Sequence, residues 1–301
     1  MRKTIFVSAI LIFSLVVILQ STNAQKRGHG LSVSMSGKTI SDCSDIRIRF
    51  GDAEVARSEQ QQNIPRTDSL LEVRPPKNGG IHIEGSGGNE FSIKACLAAR
   101  GDSEQEAREI LNQLKLSVQG GRVTVLGPEG EEWVGYLLIH APNGASLDLT
   151  ATNGPIALNG ISGNIQARAT NGPISFNEVT GQIRADVQNG PIDVTGSGGD
   201  FRINAKNGPL TVELMGSHWS GELEGHTQNG PLTLRVPEGY GSAVRVDASK
   251  HSPVECLAPQ CREAVRTWDR PSVIQFGGAE PVVRLSTVNG PVTITSPGHK
   301  R

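Results

Sequence analysis

Asn153-Gly154-Pro155-Ile156-Ala157-Leu158-Asn159-Gly160-Ile161-Ser162-Gly163-Asn164-Ile165-Gln166-Ala167-Arg168-Ala169-Thr170 is one unit of a repeat. The Asn-Gly-Pro that opens it returns at Asn171, Asn189 and Asn207 at intervals of 18, at Asn229 after 22, and far downstream at Asn289. A fixed spacing near 20 residues is the mark of a stacked-repeat architecture. Each unit reads as two short strands. The first is Ile156-Ala157-Leu158, then Ile174-Ser175-Phe176, Ile192-Asp193-Val194, Leu210-Thr211-Val212 and Leu232-Thr233-Leu234. The second runs from Ile165, Ile183, Phe201 and Leu223 with the same period-2 alternation, so one face is buried and the other wet.

Glycine-rich corners separate the strands, because glycine turns the chain sharply without a steric cost. In Asn-Gly-Pro the proline fixes its own φ and biases the preceding glycine towards extended geometry. The Asn side chain can bond nearby backbone or the equivalent Asn one unit away. A ladder of Asn153, Asn171, Asn189, Asn207, Asn229 and Asn289 would then satisfy corner amides that no sheet partner reaches. Identical strands repeating every 18 residues stack in parallel at roughly 4.8 Å, and parallel crossovers are right-handed in about 98% of cases. The predicted fold is all-β: a right-handed parallel β-solenoid, or β-helix, of ~18-residue coils.

The pattern extends backwards. Residues 78–95 align with the unit from Asn189 to Lys206, with one residue inserted, and Val123-Thr124-Val125 and Tyr136-Leu137-Leu138-Ile139 are further strand candidates. Ser103-Glu104-Gln105-Glu106 is a capping-box pattern, followed by Ala107, Ile110, Leu111 and Leu114 at helical spacing. It predicts one amphipathic helix over about 103–116 that covers an end or flank of the sheet. The expected organisation is a signal peptide over 1–24, degenerate N-terminal coils with the helix over 25–140, and regular coils over 141–236. A Cys-bearing insertion over 237–280, a final coil over 281–296 and a tail over 297–301 follow.

Arg2 and Lys3, the apolar run from Ile5 to Leu19 and the small Ala24 have the form of a secretory signal. That run is shorter than the roughly 20 residues a bilayer span needs. The reading is an exported chain, periplasmic or extracellular, with no transmembrane segment after cleavage. Of 29 Lys+Arg, losing Arg2 and Lys3 leaves 27 against 30 Asp+Glu, which offers no electrostatic footprint for nucleic acid. Four Cys in an oxidising compartment imply two disulfides. Four Cys allow three pairings, and the sequence favours the one in which the neighbours Cys256 and Cys261 staple their own loop and Cys43 joins Cys96. A zinc site would need a Cys-x-x-Cys or a matching His pair, and neither accompanies these residues.

The repeated Asn-Gly-Pro/Gly-Ile units, the signal segment, and Pro142-Asn143-Gly144-Ala145 ahead of Leu147-Asp148-Leu149 resemble a bacterial adhesin-like domain family of unknown function. The resemblance covers most of residues 40–296. It implies a right-handed β-helix and adhesion or surface attachment. Related toast-rack solenoids occur in envelope-stress signalling proteins. The resemblance brings no catalytic motif.

Chemistry outside the repeat is sparse. A polysaccharide-cleaving solenoid needs paired acids on adjacent coils, but the outward column Ala157, Ser175, Asp193, Thr211, Thr233 holds one carboxylate. Gly85-Ser86-Gly87-Gly88 and Gly196-Ser197-Gly198-Gly199 precede strands, whereas a phosphate cradle precedes a helix. Two places are candidate contacts. Arg184 and Arg202 occupy adjacent coils of the second strand, near enough to share an anion, beside an Arg168–Asp186 cross-coil pair. The coil from Asn207 carries four extra residues around His218 and Trp219, where an exposed Trp would form a stacking platform and a buried one would cover an apolar edge. The sequence therefore predicts a non-enzymatic surface or envelope binder with no cofactor and no metal, its partner an envelope protein or glycan. The alternatives are an envelope-stress signalling or scaffold module, and a carbohydrate-active enzyme.

Overall fold

The computed structural model of the chain describes residues 31–35, 40–66, 70–250, 252–267 and 272–298. The signal segment and the last residues of the expected tail lie outside them. Nearly all of the described chain is β, with a single α-helix at Glu104–Leu111. Two large sheets carry it, one of 11 strands (sheet I) and one of 12 (sheet II). The strand after each Asn-Gly-Pro belongs to sheet I and the strand before it to sheet II.

Through the repeats the register follows the alignment of the units. Ile156 pairs with Ile174, Ile174 with Ile192, Ile192 with Leu210 and Leu210 with Leu232, all in parallel. In sheet II, Ile165 pairs with Ile183, Ile183 with Phe201 and Phe201 with Leu223. Burial alternates as the period requires: Ile192 and Val194 are buried while Asp193 between them is exposed. The interior is one continuous apolar core closed by both sheets.

The corner glycine has a stricter reason than turn geometry. A Cβ on Gly154, Gly172, Gly190, Gly208, Gly230 or Gly290 would lie 2.0–2.4 Å from the carbonyl oxygen of the equivalent glycine one layer away. Backbones therefore approach so closely at this column that no side chain fits. Beside it the six repeat asparagines and Asn78 form an unbroken side-chain ladder. Each Nδ2 donates to the preceding Oδ1 at 2.9–3.0 Å.

Chain order and spatial order part company at both ends. After Leu232–Arg235 the chain moves outward and lays down Val244–Ala248 and Val254–Cys256. It then returns, so that Val283–Asn289 and Val292–Thr295 fill the layer between. The stretch 237–280 thus supplies the outermost strands of both sheets on that side, Val265–Thr267 and Ser272–Phe276 included. At the other end Leu71–Val73 and Ile81–Ser86 pair directly with Ala145–Ala151 and Ile156–Asn159. Arg122–Leu126 and Trp133–Pro142 lie beyond them.

Three expectations are corrected. The sheets are mixed rather than wholly parallel. Glu90–Gly101, aligned above as the second strand of a coil, runs antiparallel between Glu54–Pro65 and Trp133–Pro142 in sheet I. Its central residues Cys96, Leu97, Ala98 and Ala99 are buried on both faces, a pattern no half-wet coil strand tolerates. One face meets the main core. The other packs beneath Ile46, Ile48 and Phe50 of a ribbon formed by Leu31–Met35 and Ile46–Phe50. The helix is also shorter than 103–116, ending at Leu111 with Asn112 as its cap. Leu114 and Leu116 are recruited to the core, and Lys115–Gln119 pairs with Arg122–Leu126 across the Gly120-Gly121 turn. Finally, the capping box is half formed. Ser103 accepts from the Glu106 N–H, while the Glu106 carboxylate accepts from Asp102 N rather than from Ser103. Disulfides join Cys43 to Cys96 and Cys256 to Cys261, the first tying the ribbon to sheet I.

Candidate functional site

The outward positions of sheet II align strand after strand because the pairing is in register. One column runs Glu72, Asp148, Gln166, Arg184, Arg202, Glu224, Arg284. The next runs Thr150, Arg168, Asp186, Asn204, His226, Ser286. Neighbours on one column stand a strand spacing apart, roughly 4.8 Å.

Over much of this face the polar groups neutralise one another. Arg122 meets Glu72 at 3.2 Å, Glu72 meets Arg74 at 3.4 Å, and Asp148 takes Arg74 at 4.0 Å and Arg168 at 3.0 Å. The Arg122 and Arg74 guanidiniums hold the Glu72 carboxyl below its ordinary range, Arg122 the stronger influence and burial the opposing one. Farther along, Asn204 donates to Asp186, His226 contacts Ser286 at 2.9 Å, and Arg245 grips Asp247 at 2.7 Å. The expected Arg168–Asp186 bridge is corrected. The two are in register, but Arg168 turns the other way to Asp148, and Asp186 is taken by Asn204 and by Arg184 at 3.4 Å.

Arg184 and Arg202 are exposed register partners, and both line a trough of ≈ 680 Å³ on this face. Its floor is the buried row Ile165, Ile183, Phe201, and its acidic end is Asp200, Glu222 and Glu224. Asp200 is pinned by accepting the Glu222 N–H at 3.1 Å. Asp200 and Glu222 were missed in the sequence. They stand before the first apolar residue of their strands, where a corner and a strand are hard to tell apart.

Of the two readings of Trp219, the structure has the buried one. It is 4% exposed, donates its indole N–H to the Gly199 carbonyl at 3.0 Å, and meets the Phe201 ring edge-on at 5.7 Å. Phe201 in turn meets Phe176 edge-on at 5.6 Å. The four-residue bulge exists to fold an indole over this aromatic run, so Trp219 offers no platform to a partner. His218 beside it is exposed, with Nδ1 3.2 Å from Ser217 Oγ. The bulge residues and the arginine pair are separate features.

Among the described residues, no helix is long and apolar enough to cross a membrane. The one cluster of metal-type donors among the described residues is Asp42, Cys43 and Glu59, and Cys43 is held in its disulfide.

No protein-family model and no curated protein matches the chain. Crystal structures similar to it include the following three. One is a candidate cell adhesion protein of Clostridium sporogenes, at 12% identity and TM-score 0.32, covering 80% of this chain and 100% of that one. The second is a candidate adhesin of Bacteroides fragilis, at 11% identity and TM-score 0.34, covering 79% and 97%. The third is a candidate adhesin of Parabacteroides distasonis, at 11% identity and TM-score 0.26, covering 81% and 98%.

Proposed function

We propose that this protein is an exported, non-enzymatic β-solenoid whose repeats wind right-handedly and whose sheet II face binds an envelope or extracellular partner. The observation that carries the reading is the run of in-register polar columns from Glu72 to Arg284, continuous over many layers. A long face of fixed spacing matches a partner with many weak contacts better than it matches a single reacting bond. The two disulfides fit an oxidising compartment. The test is capture of envelope protein and glycan fractions by the oxidised chain. Capture is expected, and it should drop when Arg168→Glu, Arg184→Glu and Arg202→Glu are combined. Failure of the native chain to capture anything, or indifference to the triple reversal, overturns the reading.

A further inference from the structure

The trough on sheet II brings together exposed charges that have no ion pair among the described residues, Arg202, Glu222 and Glu224, beside Arg184, which meets Asp186 at 3.4 Å. Elsewhere on the face acids and bases are matched within 4.0 Å through Arg122, Glu72, Arg74, Asp148 and Arg168 at one end and through Arg245 and Asp247 at the other. Lys206 and Arg284, the latter the next register partner of Glu224, also stand without an ion pair among the described residues. Inside the trough Arg202 and Glu224 are register partners, yet no ion pair joins them. Arg202, Glu222 and Glu224 make no side-chain hydrogen bond or ion pair with the described residues, and Arg184 touches Asp186 through Nε alone. Two arginines and two glutamates thus stand side by side in the trough, three of the four without an ion pair among the described residues.

The order of the free groups has a direction. Along the stack come Gln166, then Arg184, then Arg202, and then Glu224 with Glu222 beside it. Two guanidiniums a strand spacing apart repel unless an anion sits between them, and their planar forks match a carboxylate or phosphate. Two adjacent carboxylates repel in the same way and are relieved by a cation. The centres of the two pairs lie about one and a half strand spacings apart, roughly 7 Å. Both repulsions are removed at once by a ligand that carries an anion and a cation at that separation.

Building on the proposed binding face, we infer that this trough is a recognition site for a zwitterionic chain, of which an extended peptide segment is the fitting class. The anionic group sits on Arg184 and Arg202, and the cationic group on Glu222 and Glu224. An extended peptide advances about 3.3 Å per residue and alternates its side chains, so an acid and a base two residues apart share one face and span the required distance. Gln166 lines the basic end and is free to bond the peptide backbone.

The test uses the full-length, oxidised chain and three acetylated, amidated tripeptides followed by titration calorimetry at low salt. The first has aspartate, alanine and lysine in order. The second replaces the aspartate with asparagine, and the third replaces the lysine with glutamine. The two-charge peptide is expected to bind at least tenfold tighter than either control. Arg202→Gln should cancel the advantage over the asparagine control, and Glu224→Gln the advantage over the glutamine control. Asp193→Asn, on the other sheet, should leave all three affinities unchanged. All three substituted residues are exposed, and matching melting curves identify any variant that fails to fold. Equal binding of the three peptides, or no binding, or variants that keep the full advantage, overturn the assignment. Envelope capture separates this inference from the reading it rests on. Capture that persists in Arg202→Gln and Glu224→Gln removes the trough and keeps the face. Tripeptide binding without any envelope capture removes the proposed partner and keeps the trough.

Discussion

Asn289 donates its side-chain N–H to the side-chain oxygen of Asn229 at 2.9 Å although 60 residues separate them. The bond has the length and sense of those joining neighbours 18 residues apart, such as Asn189 to Asn171. The ladder therefore follows layers in space, and the final unit occupies the layer that its own repeat signature specifies. The two strands laid down in between, Val244–Ala248 and Val254–Cys256, are pushed one layer outward.

An interior rung should matter more than the terminal one. Asn189 donates to Asn171 and accepts from Asn207, whereas Asn289 has a ladder bond on one side only. With each neutral bond contributing about 0.5–1.5 kcal/mol net, Asn189→Ala should cost about 1–3 kcal/mol and Asn289→Ala about half of that. Urea midpoints at constant slope measure both. Equal losses would mean the ladder adds nothing through its continuity.

The glycine column predicts a sharper contrast. A Cβ on Gly208 would lie 2.0 Å from the Gly190 oxygen, while one on Gly87 meets nothing within 4 Å. Gly208→Ala must pry two layers apart and should abolish the cooperative transition or lower its midpoint severely. Gly87→Ala should be neutral within about 0.5 kcal/mol, as is usual for open surface sites. Thermal melts followed by circular dichroism decide it, and a well-folded Gly208→Ala protein would refute the close approach.

Alternation within one strand gives a third contrast. Ile192 has no exposed surface, and Asp193 beside it faces solvent. Ile192→Asp puts an unpaired charge in the core and should eliminate cooperative unfolding. Asp193→Asn should be neutral or slightly stabilising at pH 7. Burial of its surroundings pushes the Asp193 carboxyl up, against the opposing pull of Thr211 and Arg235, so its ionised form is mildly disfavoured in the fold. Equal urea midpoints for the two variants would contradict the register.

Trp219 and His218 separate core from surface within one bulge. Trp219→Ala removes a buried ring that packs on Phe201 and bonds Gly199, and should cost about 3–5 kcal/mol. His218→Ala removes an exposed side chain and should leave the melting temperature unchanged. A stable Trp219→Ala protein would mean the indole is not part of the core.

The repeats were legible because their causes are local: the close-approach glycine, the proline after it, the amide before it and the period-2 strands all lie within one unit. The exchange of layers at Asn229 and Asn289 was not, since which unit fills which layer is a long-range choice that no window of sequence contains. Glu90–Gly101 did carry a signal in its two-sided apolar run Ala95-Cys96-Leu97-Ala98-Ala99, but alignment to a half-wet coil strand concealed it. Trp219 was ambiguous for a physical reason. Phe201 stands where neighbouring coils have Ile165 and Ile183, and only the stacked structure shows that the larger ring receives an indole above it. Arg184 and Arg202 were placed by register alone, whereas the unpaired acids opposite them depend on which partners Asp148 and Asp186 choose.

The last prediction concerns acid. His82 is 5% exposed on sheet I, flanked in register by Leu138 and Ala157, with Nε2 3.5 Å from Asn159 Nδ2 and no hydrogen bond to Nδ1. Burial first, and the charge of His140 second, push its pKa from 6.5 down to about 4. Between those values the unfolded chain binds a proton that the folded chain refuses, so stability rises with pH across this window. The contribution is fully present above about pH 6.5 and is lost progressively as pH falls to about 4, roughly 3 kcal/mol in all at 1.36 kcal/mol per pH unit. Urea unfolding of the native chain should show that slope between pH 6.5 and 4, superimposed on the carboxylates that titrate at its acid end. His82→Leu has no proton to take up and removes the unbonded ring nitrogen, so its stability should vary less over the same window. Parallel pH profiles for the native and His82→Leu proteins would show that His82 titrates as freely in the fold as in the unfolded chain.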